Sequence, residues 1–296
     1  MNRESVVTPT CDGPGLDYLT AEAKTSQETT IWWLGQAGFA IEHAGHRVLI
    51  DPYLSDTLAA KYAGKTFPHT RLQPIPVDAK QLRGIDAVLH SHAHTDHLDP
   101  ATITGILTNN SPTFLAPRAR LEIALTRNIP SESLNPVTAG DCVQIAPGIS
   151  VTVVPAAHEQ LEFNDQGDSV FLGYILDVAG LRIYHSGDCV PFEGQGKLLR
   201  DHCIDLALLP INGRDSYRLK NGVPGNFTVA EAISLCIEAN IPAVVGHHFG
   251  LFDFNTVDPK VAANEFEARA GKLQWTIPRL GQPYSVVPAC ATLKSR

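Results

Sequence analysis

The 296-residue chain lacks the features that mark several large classes of protein. Its six cysteines are scattered, without a CxxC pair or the short, dense spacing of a disulfide framework. No apolar run approaches the roughly 18–20 residues that a membrane span requires, and residues 1–5 lead into no signal-peptide core. We therefore expect a protein that has no membrane span and lies in the cytoplasm.

Positive charge is also scarce. The chain has 23 lysines and arginines against 31 aspartates and glutamates, and its formal net charge is −8. Because phosphate contacts need clustered basic residues, this balance argues against a nucleic-acid partner, although it leaves room for a local basic pocket. The partner we expect is a small-molecule substrate, and the sequence leaves a homo-oligomer open.

No short-period repeat, low-complexity run or linker divides the chain, and 44% hydrophobic content is enough for a large core. Residues 1–28 are polar and rich in turn formers, which predicts an N-terminal arm or cap. Residues 29–296 are predicted to form one domain. It opens with short apolar runs at 31–34, 39–42 and 47–50, whose glycine-containing gaps predict an antiparallel meander.

The most informative stretch is residues 92–97, which read His-x-His-x-Asp-His. Imidazole nitrogens and carboxylate oxygens suit zinc, manganese and iron. Side chains alternate along an extended segment, so His92 and His94 lie on one side while Asp96 and His97 face the other way. This one stretch can therefore serve two metal ions about 3.5–4 Å apart, the spacing of two-metal hydrolases.

The surroundings of this stretch are those of a site in an α/β protein. Residues 85–89 are an apolar run that predicts a buried strand, and Asp99 and Pro100 predict the start of a helix. Asp51 ends the third strand of the meander, where its carboxylate can accept a hydrogen bond from a ligating imidazole and fix its tautomer. The proline-rich residues 55–84 predict a loop that forms a flap or wall over the site.

Two metal ions need more ligands than one stretch supplies, and three candidates follow other predicted strands. His158 comes after the strand Ile149–Pro155, and Asp188 comes after residues 181–186, where Gly187 allows close approach of the backbone. The pair His247 and His248 follows the strand at 243–245. Each candidate is a ligand-type side chain at the exit of a strand.

This combination of motifs resembles the metallo-β-lactamase superfamily. The sequences at 32–35, 85–89, 184–188 and 245–248 look like its ascorbate-6-phosphate lactonase (UlaG-like) branch, and the resemblance covers roughly residues 30–290. It implies an α/β fold, the αβ/βα four-layer sandwich, with a metal centre between its two sheets. One departure is His158, whose place in the lactonase itself holds no histidine, and this favours a more general UlaG-like hydrolase.

By position, the resemblance implies two divalent metal ions, Zn²⁺ or Mn²⁺, with Fe²⁺ also accepted by these donors. His248 is preferred to His247 because His-Phe-Gly at 248–250 looks like the His-Tyr-Gly of the branch. The implied ligands of the first ion are His92, His94 and His158. Those of the second ion are Asp96, His97 and His248, and Asp188 is implied to bridge the two ions.

The hypothesis for the reaction is hydrolysis of a lactone or ester of a small metabolite, with or without a phosphate group. A water that bridges two divalent cations supplies hydroxide at neutral pH, so no serine or cysteine nucleophile is required. Asp96 and Asp188 are the predicted catalytic residues. The predicted substrate-binding residues are Asn212, Arg214, Arg218 and His247, since paired arginines hold a phosphate or carboxylate.

Other functions fit parts of the pattern. A phosphodiesterase or phospholipase-D-like phosphoester hydrolase uses the same chemistry, and a non-catalytic metal-binding protein would need the ions only for folding. Redox members of the superfamily place a glutamate between the first two histidines, where this chain has Ala93. That difference disfavours a di-iron redox enzyme.

Overall fold

The computed structural model of the protein describes residues 6–10 and 15–289. Within them the chain forms these strands: β1 (Val7–Pro9), β2 (Thr29–Gly35), β3 (Gly38–His43), β4 (His46–Ile50), β5 (Ala87–Leu89), β6 (Thr113–Pro117), β7 (Leu134–Val137), β8 (Cys142–Ala146), β9 (Ile149–Pro155), β10 (Ala157–His158), β11 (Gln160–Leu161), β12 (Leu172–Val178), β13 (Leu181–His185), β14 (Leu206–Pro210), β15 (Ala243–His247), β16 (Gln274–Thr276) and β17 (Pro283–Val286). The α-helices are α1 (Thr57–Lys61), α2 (Pro100–Ile106), α3 (Leu121–Thr126), α4 (Gln195–Asp201), α5 (Ser216–Lys220), α6 (Val229–Glu238) and α7 (Pro259–Arg269).

The strands form two large sheets. The first has the order β1-β17-β2-β3-β4-β5-β6-β7, and the second has the order β16-β15-β14-β13-β12-β9-β8. In the first sheet β2, β3 and β4 pair antiparallel, which confirms the predicted meander, whereas β4 to β7 run parallel. In the second sheet β13 to β16 run parallel. The predicted metal ligands follow the carboxyl ends of the parallel strands β5, β13 and β15, except His158, which follows the antiparallel strand β9.

Strand β2 is apolar along its length because both of its faces are buried. Ile31 and Trp33 belong to the core between the sheets, whereas Trp32 and Leu34 belong to a second cluster on the outer face of the first sheet. An alternating pattern would leave one face in water, so a continuous apolar run indicates a layer on each side.

Helices cover the outer faces of both sheets. Ile103 and Ile106 of α2 pack in the same outer cluster as Leu49 and Val88 of the first sheet. On the other side α6 contacts β14 and β15, and α4 and α7 flank α6. The order of layers is helix, sheet, sheet, helix, which confirms the predicted four-layer sandwich.

Helix starts follow the local sequence. Thr228 and Glu231 form a capping box at the start of α6, and Asp258 caps α7 ahead of Pro259. Residues 55–84 contain α1 and a short 3₁₀ helix, Ala79–Gln81. The loop prediction for this segment missed both.

The segment predicted to be an N-terminal arm contributes to the fold where the structure describes it. Strand β1 pairs with β17, and Leu19 is fully buried in the outer cluster. Residues 1–5 and 11–14 of the predicted arm lie outside the described residues. The division into residues 1–28 and 29–296 stays a prediction, as do the homo-oligomer and the cytoplasmic location. Across 6–10 and 15–289, every helix is too short or too polar to cross a membrane.

Candidate metal centre

Loops from both sheets converge on one cluster of histidines and aspartates. The loop between β5 and α2 carries residues 92–97, and the two-residue strand β10 carries His158. Asp188 follows β13, and His248 follows β15. The structure thus brings together seven side chains that are separated by as much as 156 positions in the sequence.

The seven side chains form three overlapping groups, and within each group the ligand atoms lie within 4.8 Å of one another. His92 belongs to the first two groups and His97 to the last two. Groups that share members suit two neighbouring ions better than two separate sites. The groups are His92, His94 and His158, then His92, His97 and Asp188, and then Asp96, His97 and His248.

Unsatisfied polar atoms test whether this cluster fits a metal ion. Among the described residues, His97 Nε2, both ring nitrogens of His158 and of His248, and Asp188 Oδ1 are buried without a hydrogen-bond partner. His248 Nε2 and His97 Nε2 lie 3.2 Å and 3.4 Å from Asp188 Oδ1. Burying such atoms unpaired is costly, and bound cations would satisfy Asp188 Oδ1 and one ring nitrogen of each histidine. The donor set therefore fits divalent metal ions.

Asp51 lies behind the cluster and orients two of its histidines. Its Oδ2 accepts a hydrogen bond from His97 Nδ1 at 2.8 Å, and its Oδ1 accepts one from the Ser91 backbone at 2.7 Å. The Ser91 hydroxyl bonds to Asp51 and lies 3.0 Å from His92 Nδ1. Since an ionised carboxylate only accepts, His97 Nδ1 carries a proton, and Nε2 is the nitrogen that can bind a metal ion once it is deprotonated.

The electrostatics of the cluster favour cation binding. Burial is the largest influence on the pKa of Asp188 and raises it, yet attraction to His248 and His97 holds this pKa well below its ordinary value. Burial tends to lower the pKa of His97, but three nearby carboxylates, led by Asp188, raise it well above the ordinary value. Burial lowers the pKa of His158 to about 4 and that of His92 well below its usual range. His92 and His158 are therefore neutral, as metal ligands need to be, whereas His97 is protonated without a metal ion and a bound cation would displace its Nε2 proton.

Backbone strain is concentrated here. Three non-glycine residues here have φ angles in the left-handed region, which is strained for any residue with a Cβ. They are Gln36 at 50°, Asp51 at 43° and His248 at 64°. Gly187 has φ 62°, and a Cβ there would lie 2.7 Å from both the Leu172 carbonyl oxygen and Ser91 Cβ. The predicted need for glycine at 187 is confirmed, because no side chain fits between these neighbours.

Gln36 contacts the cluster although no role was predicted for it. Its side-chain amide donates a hydrogen bond to Asp96 Oδ2 at 2.9 Å, while its backbone carbonyl accepts from the His248 backbone at 2.9 Å and from Trp33 Nε1 at 3.0 Å. The turn between β2 and β3 therefore holds two residues of the cluster. The available signal was a polar residue within Gly-Gln-Ala-Gly, which the pattern identified only as a turn.

None of the four predicted substrate-binding residues, all of which the structure describes, lines the cavity. His247 is fully buried and stacks on His185, with ring centroids 5.1 Å apart. The guanidinium of Arg214 makes two 2.6 Å contacts with the Glu231 carboxylate. Asn212 and Arg218 both donate to Asn255 Oδ1, and Asn255 does line the cavity. Their role in substrate binding stays a prediction.

A cavity of about 660 Å³ opens onto the cluster. The residues of the cluster that line it are His94, Asp96, His158 and Asp188. Part of the remaining wall is aromatic: Tyr62 stacks on His69 at 4.1 Å, and Phe252 stacks on Phe254 at 5.8 Å. Tyr62 and His69 come from the segment 55–84, so the predicted wall over the site is confirmed.

A sandwich of two sheets that holds a histidine and aspartate cluster at their strand ends defines a class of metal-binding proteins. Residues 46–249 match the family described as the beta-lactamase superfamily domain, and the chain belongs to this metallo-β-lactamase superfamily. The family that the sequence resembles is confirmed.

Individual relatives are distant but cover most of the chain. A UPF0173 metal-dependent hydrolase from Myxococcus xanthus is 26% identical over 88% of this chain and 84% of its own length. A probable L-ascorbate-6-phosphate lactonase UlaG from Shigella dysenteriae is 23% identical over 83% of this chain and 76% of its own. A solved metallo hydrolase from Ignicoccus hospitalis has a TM-score of 0.65 over 88% of this chain and 98% of that one, at 21% identity, and shares the fold.

Proposed function

We propose that this metal-dependent hydrolase of the metallo-β-lactamase superfamily cleaves a lactone or ester of a small metabolite with the help of two divalent cations. The observation that carries the proposal is the set of overlapping ligand groups with unsatisfied nitrogens and oxygens, of which His158 and Asp188 line the cavity. The cavity volume of about 660 Å³ is in the range of small-molecule sites. The relative named as a probable lactonase supports the choice of a lactone.

The proposed ligands of one ion are His92, His94 and His158, those of the other are Asp96, His97 and His248, and Asp188 is shared. Zn²⁺ and Mn²⁺ suit these nitrogen and oxygen donors, and Fe²⁺ is also accepted. When bound, the two ions lower the pKa of a water molecule and polarise the scissile carbonyl.

The chain supplies the positioning. Asp51 fixes the tautomer of His97, and Gln36 holds one carboxylate oxygen of Asp96. Asp96 lines the cavity, where it orients the attacking water and takes its proton. Attraction to His248 and His97 holds the pKa of Asp188 well below the ordinary value, so its carboxylate is ionised and can act as a ligand.

The test is hydrolysis by zinc- or manganese-loaded protein of two probes, a sugar-type lactone carrying a phosphate and an activated phosphodiester. We expect preference for the lactone, and loss of turnover in His94→Ala and Asp188→Ala while circular dichroism stays that of the folded protein. His202→Ala is the matched control, since His202 caps the end of α4 outside the cluster. Full turnover in His94→Ala would refute the metal site, and preference for the diester would favour the phosphodiesterase or phospholipase-D-like alternative.

A further inference from the structure

The cavity wall has a charge opposite to that of the whole chain. The chain has a formal net charge of −8. Among the described residues that line the cavity, the only carboxylates are Asp96 and Asp188, which belong to the metal-binding groups. The rest of the lining contains Lys61, Lys65 and Arg127 and no acidic residue. A cationic wall in an acidic protein is the local basic pocket that the composition left open.

Two of these cations meet at one hydroxyl group. Lys61 Nζ lies 3.3 Å and Arg127 Nη1 lies 3.1 Å from Thr95 Oγ1. Lys61 ends α1, and Arg127 directly follows α3, so two separate parts of the chain bring their charges to the same point. Like charges brought together repel each other, and an anion between them would remove that repulsion.

Most arginines elsewhere in the described chain already have an acidic partner. No ion pair found among residues 6–10 and 15–289 joins Lys61 or Arg127 to a carboxylate. The arginines that do pair with a carboxylate are Arg47, Arg118, Arg120, Arg182, Arg214, Arg218 and Arg269. The charges of Lys61 and Arg127 are therefore available to a ligand.

Their position is next to the reaction centre. Thr95 stands between His94 and Asp96 in the sequence, and its side chain is 6% exposed. Lys61, Thr95 and Arg127 line the same cavity as four residues of the cluster, so one small molecule in this cavity can contact both. The guanidinium offers several fixed donors, the ammonium adds a point charge, and the hydroxyl adds one more donor.

We propose that Lys61, Thr95 and Arg127 form an anion-binding subsite, which holds a phosphate or carboxylate group at the end of the substrate that does not react. This inference rests on the proposed function and names its substrate class, an ester or lactone that carries a phosphate or carboxylate group. The subsite uses other residues than the predicted Arg214, whose guanidinium is engaged by Glu231.

The first experiment compares three lactones of similar size on metal-loaded protein, one with a phosphate, one with a carboxylate and one neutral. In Arg127→Gln and in Lys61→Gln we expect KM for the anionic lactones to rise by about tenfold or more, because each variant loses a charge-assisted hydrogen bond to the anion. The KM for the neutral lactone should change little. The larger rise identifies the anion. Arg120→Gln is the matched control because its charge is paired with Glu162 outside the cavity. Equal changes for the charged and neutral lactones would overturn the subsite.

A binding experiment separates this inference from the proposed function. Inorganic phosphate is titrated into each metal-loaded protein by calorimetry. We expect the affinity to fall by about tenfold or more in Arg127→Gln and Lys61→Gln and to stay at the native value in Arg120→Gln. Identical affinity in all four proteins means that only the metal ions bind phosphate, and the subsite is then wrong. If affinity falls as expected but no lactone is hydrolysed, the subsite stands and the proposed reaction fails.

Discussion

Replacement of Asp51 by asparagine tests whether the buried carboxylate prepares the cluster for metal ions. Both oxygens of Asp51 accept hydrogen bonds, one from His97 Nδ1 and the other from the Ser91 backbone. An asparagine has one acceptor and one donor in the same place, so either orientation of the amide sets a donor against a donor. The shape of the side chain is retained and its acceptor pattern is not.

The expected loss follows from these contacts. A buried donor left without an acceptor costs about 1–3 kcal/mol. Loss of a residue that orients a metal ligand reduces metal affinity by about 10–100-fold, and this equals about 1.4–2.8 kcal/mol. We expect Asp51→Asn to bind zinc about 10–100-fold more weakly, because His97 no longer keeps the tautomer that presents Nε2.

The assay is a competition titration of zinc between the protein and a chromophoric chelator. Asp99→Asn is the matched control: Asp99 is also a fully buried aspartate, but it caps α2 by accepting from the Thr102 backbone. An asparagine caps a helix nearly as well, so its zinc affinity is expected to stay native. If Asp51→Asn is folded and binds zinc within twofold of the native protein, the proposed orienting role is refuted.

Two further substitutions probe the scaffold. Gly187→Ala would place a Cβ 2.7 Å from the Leu172 carbonyl oxygen, so we expect both lower stability and loss of metal binding. Gly194→Ala is the matched control: Gly194 also has a positive φ, 84°, but a Cβ there would meet no atom within 4 Å, so its metal binding should stay native. Native metal affinity in Gly187→Ala would contradict this. Glu42→Gln leaves the fully buried Arg47 without its counter-charge, and we expect a loss of about 3 kcal/mol in the free energy of unfolding, measured in urea. An unchanged urea midpoint would show that backbone carbonyls suffice to hold Arg47.

The cluster illustrates what local patterns reveal. His92, His94, Asp96 and His97 were recognisable because four ligand-type residues occur within six positions, directly after an apolar strand. His158 and the two later candidates were found by the same rule, a ligand-type residue at the exit of a strand. Such patterns are visible in the sequence because the strand and the turn that follows it are adjacent in the chain.

Neither Gln36 nor the residues of the proposed anion-binding subsite stand in a comparable sequence pattern. Gln36 contacts Asp96 across 60 positions of sequence, and Lys61 and Arg127 meet although 66 positions separate them. The predicted anion contact at Arg214 was chosen from two arginines near each other in sequence. In the structure Arg214 contacts Glu231 of α6, because the helix start and the loop come together.

The sequence alone determined the four layers, the family and the set of candidate ligands, because each depends on short-range order: apolar runs buried on both faces, glycine turns and ligands at strand ends. Tertiary structure alone decided which candidate ligands lie within one group, which carboxylate contacts them from behind and which cationic side chains line the cavity. Those facts depend on how the two sheets pack and where their loops meet. The spacing of residues along the chain does not predict the distances between such loops.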